Sequence, residues 1–251
     1  MQTPDPRALP APPCGLLGNA SLFLDLDGTL LEIASRPGDV IVNDSLKGLL
    51  ARLGQFLGGR LAVVSGRPAA EVRRLIGPVD LAIAGSHGAE YARACGIGEP
   101  PVAAPLPSVV GEALRQLQAL HPGVLVEAKP FGLALHYRLA PAAAKACHAL
   151  AECIASAEGY VLQPGKQVIE LKYHDSNKGD AVRMFMASEP MKHGRPLFVG
   201  DDLTDEAGFA AARALGGAGI LVGPPRPTAA SYGLADVSAA LRWLSRCETV
   251  G

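Results

Sequence analysis

Short apolar runs recur along this chain, and each gives way to a polar loop and then to an amphipathic stretch. Residues 22–24, 61–64, 81–84, 197–199 and 220–222 have this form. Such short, unbroken runs suit strands buried on both faces, which arise when helices cover a parallel sheet from either side. Helix signals fall between them. Asn43-Asp44-Ser45 offers an N-cap and Gly58-Gly59 a stop, while Pro68 suits a first helical turn that Gly77-Pro78 ends. Thr204 precedes Asp205 and Glu206, and apolar positions continue to Leu215 before Gly216-Gly217. The alternation predicts a doubly wound, parallel-sheet (Rossmann-like) α/β core.

The middle of the chain follows another pattern. A Pro/Ala-rich linker at 100–107 precedes a helical stretch at 108–120, stopped by His121-Pro122-Gly123. Strand patterns at 124–129 and 133–139, a helix at 142–158, and strands at 160–162 and 168–171 complete an αββαββ order. This predicts a smaller α+β cap domain, residues 104–174, inserted into a core made of 20–103 and 175–251. A chain that leaves one domain, builds a second and returns is expected to form a cleft with two hinges. The Pro-rich start, residues 1–19, is read as a disordered tail.

Composition narrows the class. Of 251 residues, 49% are apolar and 19% charged, as in a globular protein rather than a disordered one. The net charge of −1 excludes a broad basic surface for nucleic acid or anionic membrane, so any phosphate recognition must be local. No apolar run approaches the ~18 residues of a membrane span, and the first residues lack the apolar stretch of a signal peptide. A cytoplasmic monomer is expected. Cys14, Cys95, Cys147, Cys153 and Cys247 show neither C-x-x-C nor zinc-ligand spacing, and are expected to be reduced thiols.

Four polar clusters follow expected core strands. The first holds Asp25, Asp27, Gly28 and Thr29. Two carboxylates about 4 Å apart repel by about 4 kcal/mol at an effective dielectric near 20. A divalent cation relieves that repulsion and lets a carboxylate approach a phosphate. An EF-hand does not fit, because Thr29, Leu30 and Arg36 occupy its fifth, sixth and twelfth positions. A plain turn at Gly28-Thr29 is the competing reading. The second cluster is Ser65-Gly66-Arg67, whose hydroxyl and N–H groups suit phosphate oxygens, although the same triplet also makes an ordinary helix entry. In the third, Asn177-Lys178-Gly179, a lysine opens a helix, where its charge is unfavourable unless an anion lies beside it. The fourth, Gly200-Asp201-Asp202-Leu203-Thr204-Asp205-Glu206, offers hard oxygen ligands, few enough to favour Mg²⁺ over Ca²⁺.

Taken in order, DxDGT, Ser-Gly-Arg, Lys and GDDxTDE resemble the haloacid-dehalogenase superfamily of phosphatases, over residues 20–245 or thereabouts. The resemblance implies that Asp25 attacks phosphorus and becomes an aspartyl-phosphate. It implies that Asp27 protonates the leaving alcohol and then activates water. Mg²⁺ would be held by the Asp25 side chain, the Asp27 carbonyl and Asp201, with Asp202 and Asp205 in outer positions. Ser65 and Lys178 would position and neutralise the phosphoryl oxygens, with Thr29 and Arg67 among the substrate contacts.

The expected cap carries Val126-Glu127-Ala128-Lys129, Ala134-Leu135-His136-Tyr137-Arg138 and Gly165-Lys166 through Glu170 to Lys172. These strings, with Gly85-Ser86-His87-Gly88-Ala89-Glu90, resemble the bacterial trehalose-6-phosphate phosphatase family. That resemblance implies hydrolysis of trehalose 6-phosphate, with Glu127, Lys129 and Glu170 gripping the distal glucose and Arg138, Lys166 and His87 as further contacts. Carboxylates that accept hydroxyl protons and cations that donate are the groups such a ligand needs. A sucrose-phosphate or glucosylglycerate-phosphate type of phosphatase is the alternative. A non-catalytic sensor would lack one of Asp25, Asp27, Ser65, Lys178 or Asp201, and all are present. The stretch at 173–176 is longer than the family pattern and bears on hinge geometry.

Overall fold

The computed structural model describes residues 9–33, 40, 42–93, 96–97, 108–129, 132–158, 160–172 and 177–248. The linker at 100–107, the 173–176 stretch, Cys95 and the side chain of Lys129 lie outside these residues. The chain divides into two compact units, one made of Met1–Gly98 with Asn177–Gly251 and the other of Glu99–Ser176.

The larger unit runs β1 (Ala20–Leu24), α1 (Asp44–Phe56), β2 (Leu61–Val64), α2 (Ala69–Ile76), β3 (Ala82–Gly85), β4 (Glu90–Arg93) and β5 (Gly96–Ile97). The smaller unit contributes α3 (Ser108–Leu120), β6 (Leu125–Lys129), β7 (Gly132–His136), α4 (Ala144–Glu158), β8 (Val161–Gly165) and β9 (Val168–Lys172). The larger resumes with α5 (Lys178–Met186), β10 (Arg195–Gly200), α6 (Glu206–Ala214), β11 (Ala218–Val222), β12 (Tyr232–Leu234) and α7 (Val237–Cys247).

Its sheet has the order β12-β11-β10-β1-β2-β3-β4-β5, parallel except at β4 and β5. Alternation within each strand sorts its side chains to two layers. Leu22 and Leu24 of β1, Leu61 and Val63 of β2, and Leu197 and Val199 of β10 pack with Leu50 and Leu53 of α1, Val72 and Ile76 of α2, and Trp243 and Leu244 of α7. Phe23, Ala62, Val64 and Phe198 point the other way, onto Val182 and Phe185 of α5 and Phe209 of α6. Helices on both faces of a parallel sheet are the doubly wound architecture expected from the apolar runs. β1 and β10 adjoin where the strand order reverses, which is where open α/β sheets leave a crevice at their carboxyl ends.

The smaller unit is an antiparallel sheet, β6-β7-β9-β8, with α3 and α4 on one face. Leu133, Leu135, Ile169 and Leu171 pack there with Leu114 and Leu117 of α3 and Cys147, Ala151 and Ile154 of α4.

Two expectations need correction. Residues 9–19 are not a disordered tail. Trp243 Nε1 donates to the Pro12 carbonyl at 2.9 Å, Gly233 N to that of Pro10 at 3.0 Å, and Leu17 is fully buried. Prolines lack the N–H donors that sheets need, but their carbonyls remain good acceptors, and this segment uses them. Nor are all the cysteines thiols: Cys14 is disulfide-bonded to Cys247, 233 residues away in sequence, while Cys147 and Cys153 are free. Spacing rules see only local pairs, and the fold alone brings the two termini together. Among the described residues, no helix is long and apolar enough to cross a membrane.

Candidate active site

Asp25 immediately follows β1, and its N–H continues the ladder to the Val199 carbonyl of β10 at 2.9 Å. Asp201 immediately follows β10, so the reversal of strand order sets the two acids side by side. Gly28 permits this closeness. It has φ +89°, and a Cβ there would lie 2.3 Å from the Asp201 carboxylate. Thr29 is fully buried and donates from Oγ1 to Asp201 Oδ1 at 3.4 Å. Thr29, expected among the substrate contacts, is thus placed as a support for Asp201.

Lys178 opens α5 behind an Asn177–Asp180 capping box. Its Nζ lies 2.7 Å from Asp25 Oδ1 and 2.6 Å from Asp205 Oδ1. The anion implied by a lysine at a helix start is therefore a pair of carboxylates. Burial opposes the ammonium, but Asp205 and Asp25 outweigh it and hold the group well above the usual lysine range. For Asp25, burial is the dominant influence and drives its pKa well up; Lys178 opposes this, whereas Asp205 and Asp201 add to it.

The carboxylates of Asp25, Asp201 and Asp205 gather ligand oxygens within 4.8 Å of one another. Asp205 is already committed. Its Oδ1 takes Lys178, and its Oδ2 accepts from Asp201 N and Asp202 N, each at 2.9 Å. Its role is to set the Gly200–Asp202 turn and anchor the lysine. Asp202 turns away and accepts from Leu203 N. Asp25 and Asp201 lie side by side, and among the described residues of this cluster one ammonium meets three buried acids. A hard divalent cation fits such a donor set.

Ser65 follows β2, and its Oγ accepts from Arg67 N at 3.1 Å. Arg67 itself was expected among the substrate contacts. In the structure it donates from Nε to Asp27 Oδ2 at 2.6 Å, from Nη2 to Asp27 Oδ1 at 2.8 Å, and from Nη1 to Glu71. His87 lies in a strained segment: Ser86 and His87 are buried, non-glycine residues with φ +48° and +56°. Such conformations cost on the order of 1–3 kcal/mol each and persist only where the surroundings over-determine them. Here the Ser86 hydroxyl donates to Glu90, which also accepts from Ala69 N, and His87 N donates to the Ser65 carbonyl at 3.0 Å. The His87 ring sits so close to Gly66 that a Cβ there would lie 2.5 Å from Nε2, which explains the glycine in Ser-Gly-Arg.

In the smaller unit, register does the sorting. Glu127 pairs with Ala134, Ala134 with Glu170, and Glu170 with Gln163, placing these residues on one sheet face opposite the helices. Position 129 shares the next same-face row with Gly132 and Lys172. On the other side of the Glu127 row, His136 donates from Nε2 to Glu127 Oε2 at 2.7 Å. Arg138 and Lys166 are not part of this group. They lie beyond the far end of the strands, where Arg138 Nη2 donates to the Lys166 carbonyl at 3.1 Å.

Sequence reasoning missed Glu71, Glu90 and His136 as supporting residues. Glu71 had a signal, four residues after Arg67 on a helix start. His136 had none, since its diagonal relation to Glu127 exists only once register is known.

A relative from Sinorhizobium fredii, described as a "Probable trehalose-phosphate phosphatase", is 39% identical over 229 residues, covering 90% of this chain and 86% of that protein. The trehalose-6-phosphate phosphatase of Escherichia coli K12 is 38% identical over 232 residues, with the same coverage of 90% and 86%. The C-terminal domain of a C. albicans trehalose-6-phosphate phosphatase superposes with a TM-score of 0.83 at 21% identity, covering 98% of this chain and 99% of that one, a likeness of fold. The trehalose-phosphatase family profile matches residues 23–238, from the strand that delivers Asp25 to the start of α7, so the chain belongs to the trehalose-phosphatase family.

Proposed function

We propose that this protein hydrolyses trehalose 6-phosphate to trehalose and phosphate through an aspartyl-phosphate at Asp25. The observation that carries this reading is the seating of the Asp25 carboxylate against Lys178, 2.7 Å away, beside Asp201 at the strand reversal. In the first half-reaction an Asp25 oxygen bonds to phosphorus and the bond from phosphorus to the sugar oxygen breaks. Asp27 gives its proton to that departing oxygen. In the second, water attacks phosphorus, Asp27 takes the proton, and the Asp25 carboxylate is restored as phosphate leaves. Lys178 balances charge at Asp25 throughout, and the Ser65 hydroxyl is available to a phosphoryl oxygen.

Mg²⁺ is the cation this donor set suits, and Asp25, Asp201 and the Asp27 carbonyl would hold it. When bound it supplies charge neutralisation that lets a carboxylate and a phosphate approach one another. We assign recognition of the sugar hydroxyls to the polar sheet face carrying Glu127 and Glu170. Carboxylates there accept hydroxyl protons, and an analogue lacking those hydroxyls leaves them unpaired.

Phosphate release from trehalose 6-phosphate, with EDTA as control and other sugar phosphates in parallel, tests the reading. Preference for trehalose 6-phosphate, abolished by EDTA, is expected. Faster turnover of a sucrose or glucosylglycerate phosphate would replace the substrate, and metal-independent turnover would overturn the mechanism.

A further inference from the structure

The Arg67 side chain joins two carboxylates of different standing. Asp27 belongs to the reacting group, while Glu71 lies in the first turn of α2. Three separate guanidinium nitrogens are used, two on Asp27 and one on Glu71. A bidentate guanidinium–carboxylate pair fixes the plane of the carboxylate as well as its position. Lysine, a point donor on a flexible stem, does neither.

The clamp is itself held rigidly. Arg67 N donates to Ser65 Oγ, and the Arg67 carbonyl accepts from Ser86 N at 2.9 Å. Gly85 makes room for this packing, since a Cβ there would lie 2.3 Å from Ala69 N and 2.9 Å from the Arg67 carbonyl. The side chain is mostly enclosed, and burial disfavours its charge, yet the Asp27 and Glu71 pairings raise its pKa above the usual arginine range. Arg67 is therefore a permanent cation on a fixed stalk. It points at Asp27, with Glu71 bracing the third nitrogen.

We propose that Arg67 is a positioning residue for the acid–base step: it aims the Asp27 carboxylate at the departing oxygen, and Glu71 holds Arg67 in that pose. This rests on the assignment of Asp27 as the acid, made above. Asp27 retains lone pairs outside the two guanidinium bonds, so it can carry and deliver a proton while its plane stays locked. A general acid matters most when the leaving group is a poor one, because a stabilised phenoxide departs without help. Misaiming Asp27 therefore penalises esters in proportion to the basicity of the alcohol they release. A merely structural role, or a direct hold on the phosphoryl group, would penalise all esters alike.

The test is a series of para-substituted phenyl phosphates, from nitro to methoxy, assayed with Mg²⁺ on the wild-type, Arg67→Gln, Arg67→Lys and Glu71→Gln proteins. The readout is kcat/KM, which covers only the steps through departure of the phenol. The wild type should show a shallow dependence on leaving-group basicity. Arg67→Gln should steepen it, losing about tenfold more on the methoxy than on the nitro ester, with Arg67→Lys between and Glu71→Gln smallest. Combined with Asp27→Asn, Arg67→Gln should add little further loss, since both remove one function. Parallel lines for wild type and variants, or fully additive losses in the double variant, overturn the proposal. Should Arg67→Gln fail to fold, the Arg67→Lys and Glu71→Gln slopes decide by the same criterion. A wild-type protein inactive on every ester would instead bring down the phosphatase reading itself.

Discussion

The larger unit assembles its reacting groups from chain segments far apart, with Thr29 and Asp201, for example, separated by 172 residues. Each is fixed by buried contacts: Lys178 between Asp25 and Asp205, Asp205 under two backbone N–H groups, Arg67 across Asp27. In the smaller unit a single sheet face carries Glu127 and Glu170 in one cross-strand row and His136 in the next. One arrangement is a web in which each member orients the next. The other draws on adjoining strands of one sheet, so its side chains are placed by register rather than by contacts between distant segments. Chemistry should therefore fail as a whole in the first unit, whereas selectivity should change residue by residue in the second.

The strongest challenge to this contrast is Asp25→Asn. Turnover should fall about 10⁴-fold or more on every ester, equivalent to about 5.5 kcal/mol, and no phospho-enzyme should be trapped. Substantial hydrolysis by that variant would dissolve the distinction. Next comes reduction of Cys14–Cys247, whose two cysteines both lie in the larger unit. Chain-entropy arguments give about 5 kcal/mol for a loop this long, or a fall in Tm on the order of 10 °C. Calorimetry with and without reductant should move the larger unit's transition and leave the smaller unit's in place. Equal movement of both would contradict it.

Glu170→Gln and Glu127→Gln should each lower kcat/KM for trehalose 6-phosphate about 100-fold, or about 2.7 kcal/mol, and p-nitrophenyl phosphate turnover far less. Equal losses would place these acids outside sugar recognition. The smallest effect concerns metal-free stability. Burial raises the Asp25 pKa, so its neutral form is favoured on folding. That contribution is present at low pH and is lost as pH rises through the raised value. At mildly alkaline pH without metal, Asp25→Asn should melt about 2–4 °C above wild type, as about 1 kcal/mol would give. The gap should close on acidification, and Mg²⁺ should stabilise the wild type more than the variant. No gain at alkaline pH would remove the case for excess buried negative charge.

Much of this was legible beforehand. The five apolar runs became β1, β2, β3, β10 and β11, and the αββαββ order of the insert was correct, because both signals come from burial periodicity. The edge strands β5 and β12, and β4 beside the first of them, were missed, being short and poorly alternating. The 133–139 strand pattern ended early, at His136 in β7, because Tyr137 N turns to the Gln167 carbonyl. In the site, Asp25, Lys178 and Asp201 were readable as chemistry-bearing types after strands. The engagement of Arg67 with Asp27 and of Thr29 with Asp201 was not, since pairing between distant segments carries no local mark.

The place of β10, inserted between β1 and β11, governs how the protein is born. When β1 leaves the ribosome, its neighbour on one side is still some 170 residues away. The antiparallel unit, by contrast, is complete before α5 is made, and its strands are joined by near neighbours. The nascent chain thus carries a finished passenger while the sheet that will hold Asp25 waits, half-edged, for its middle strand. Parallel pairing over such distances is slow and leaves an open strand edge to be shielded in the meantime.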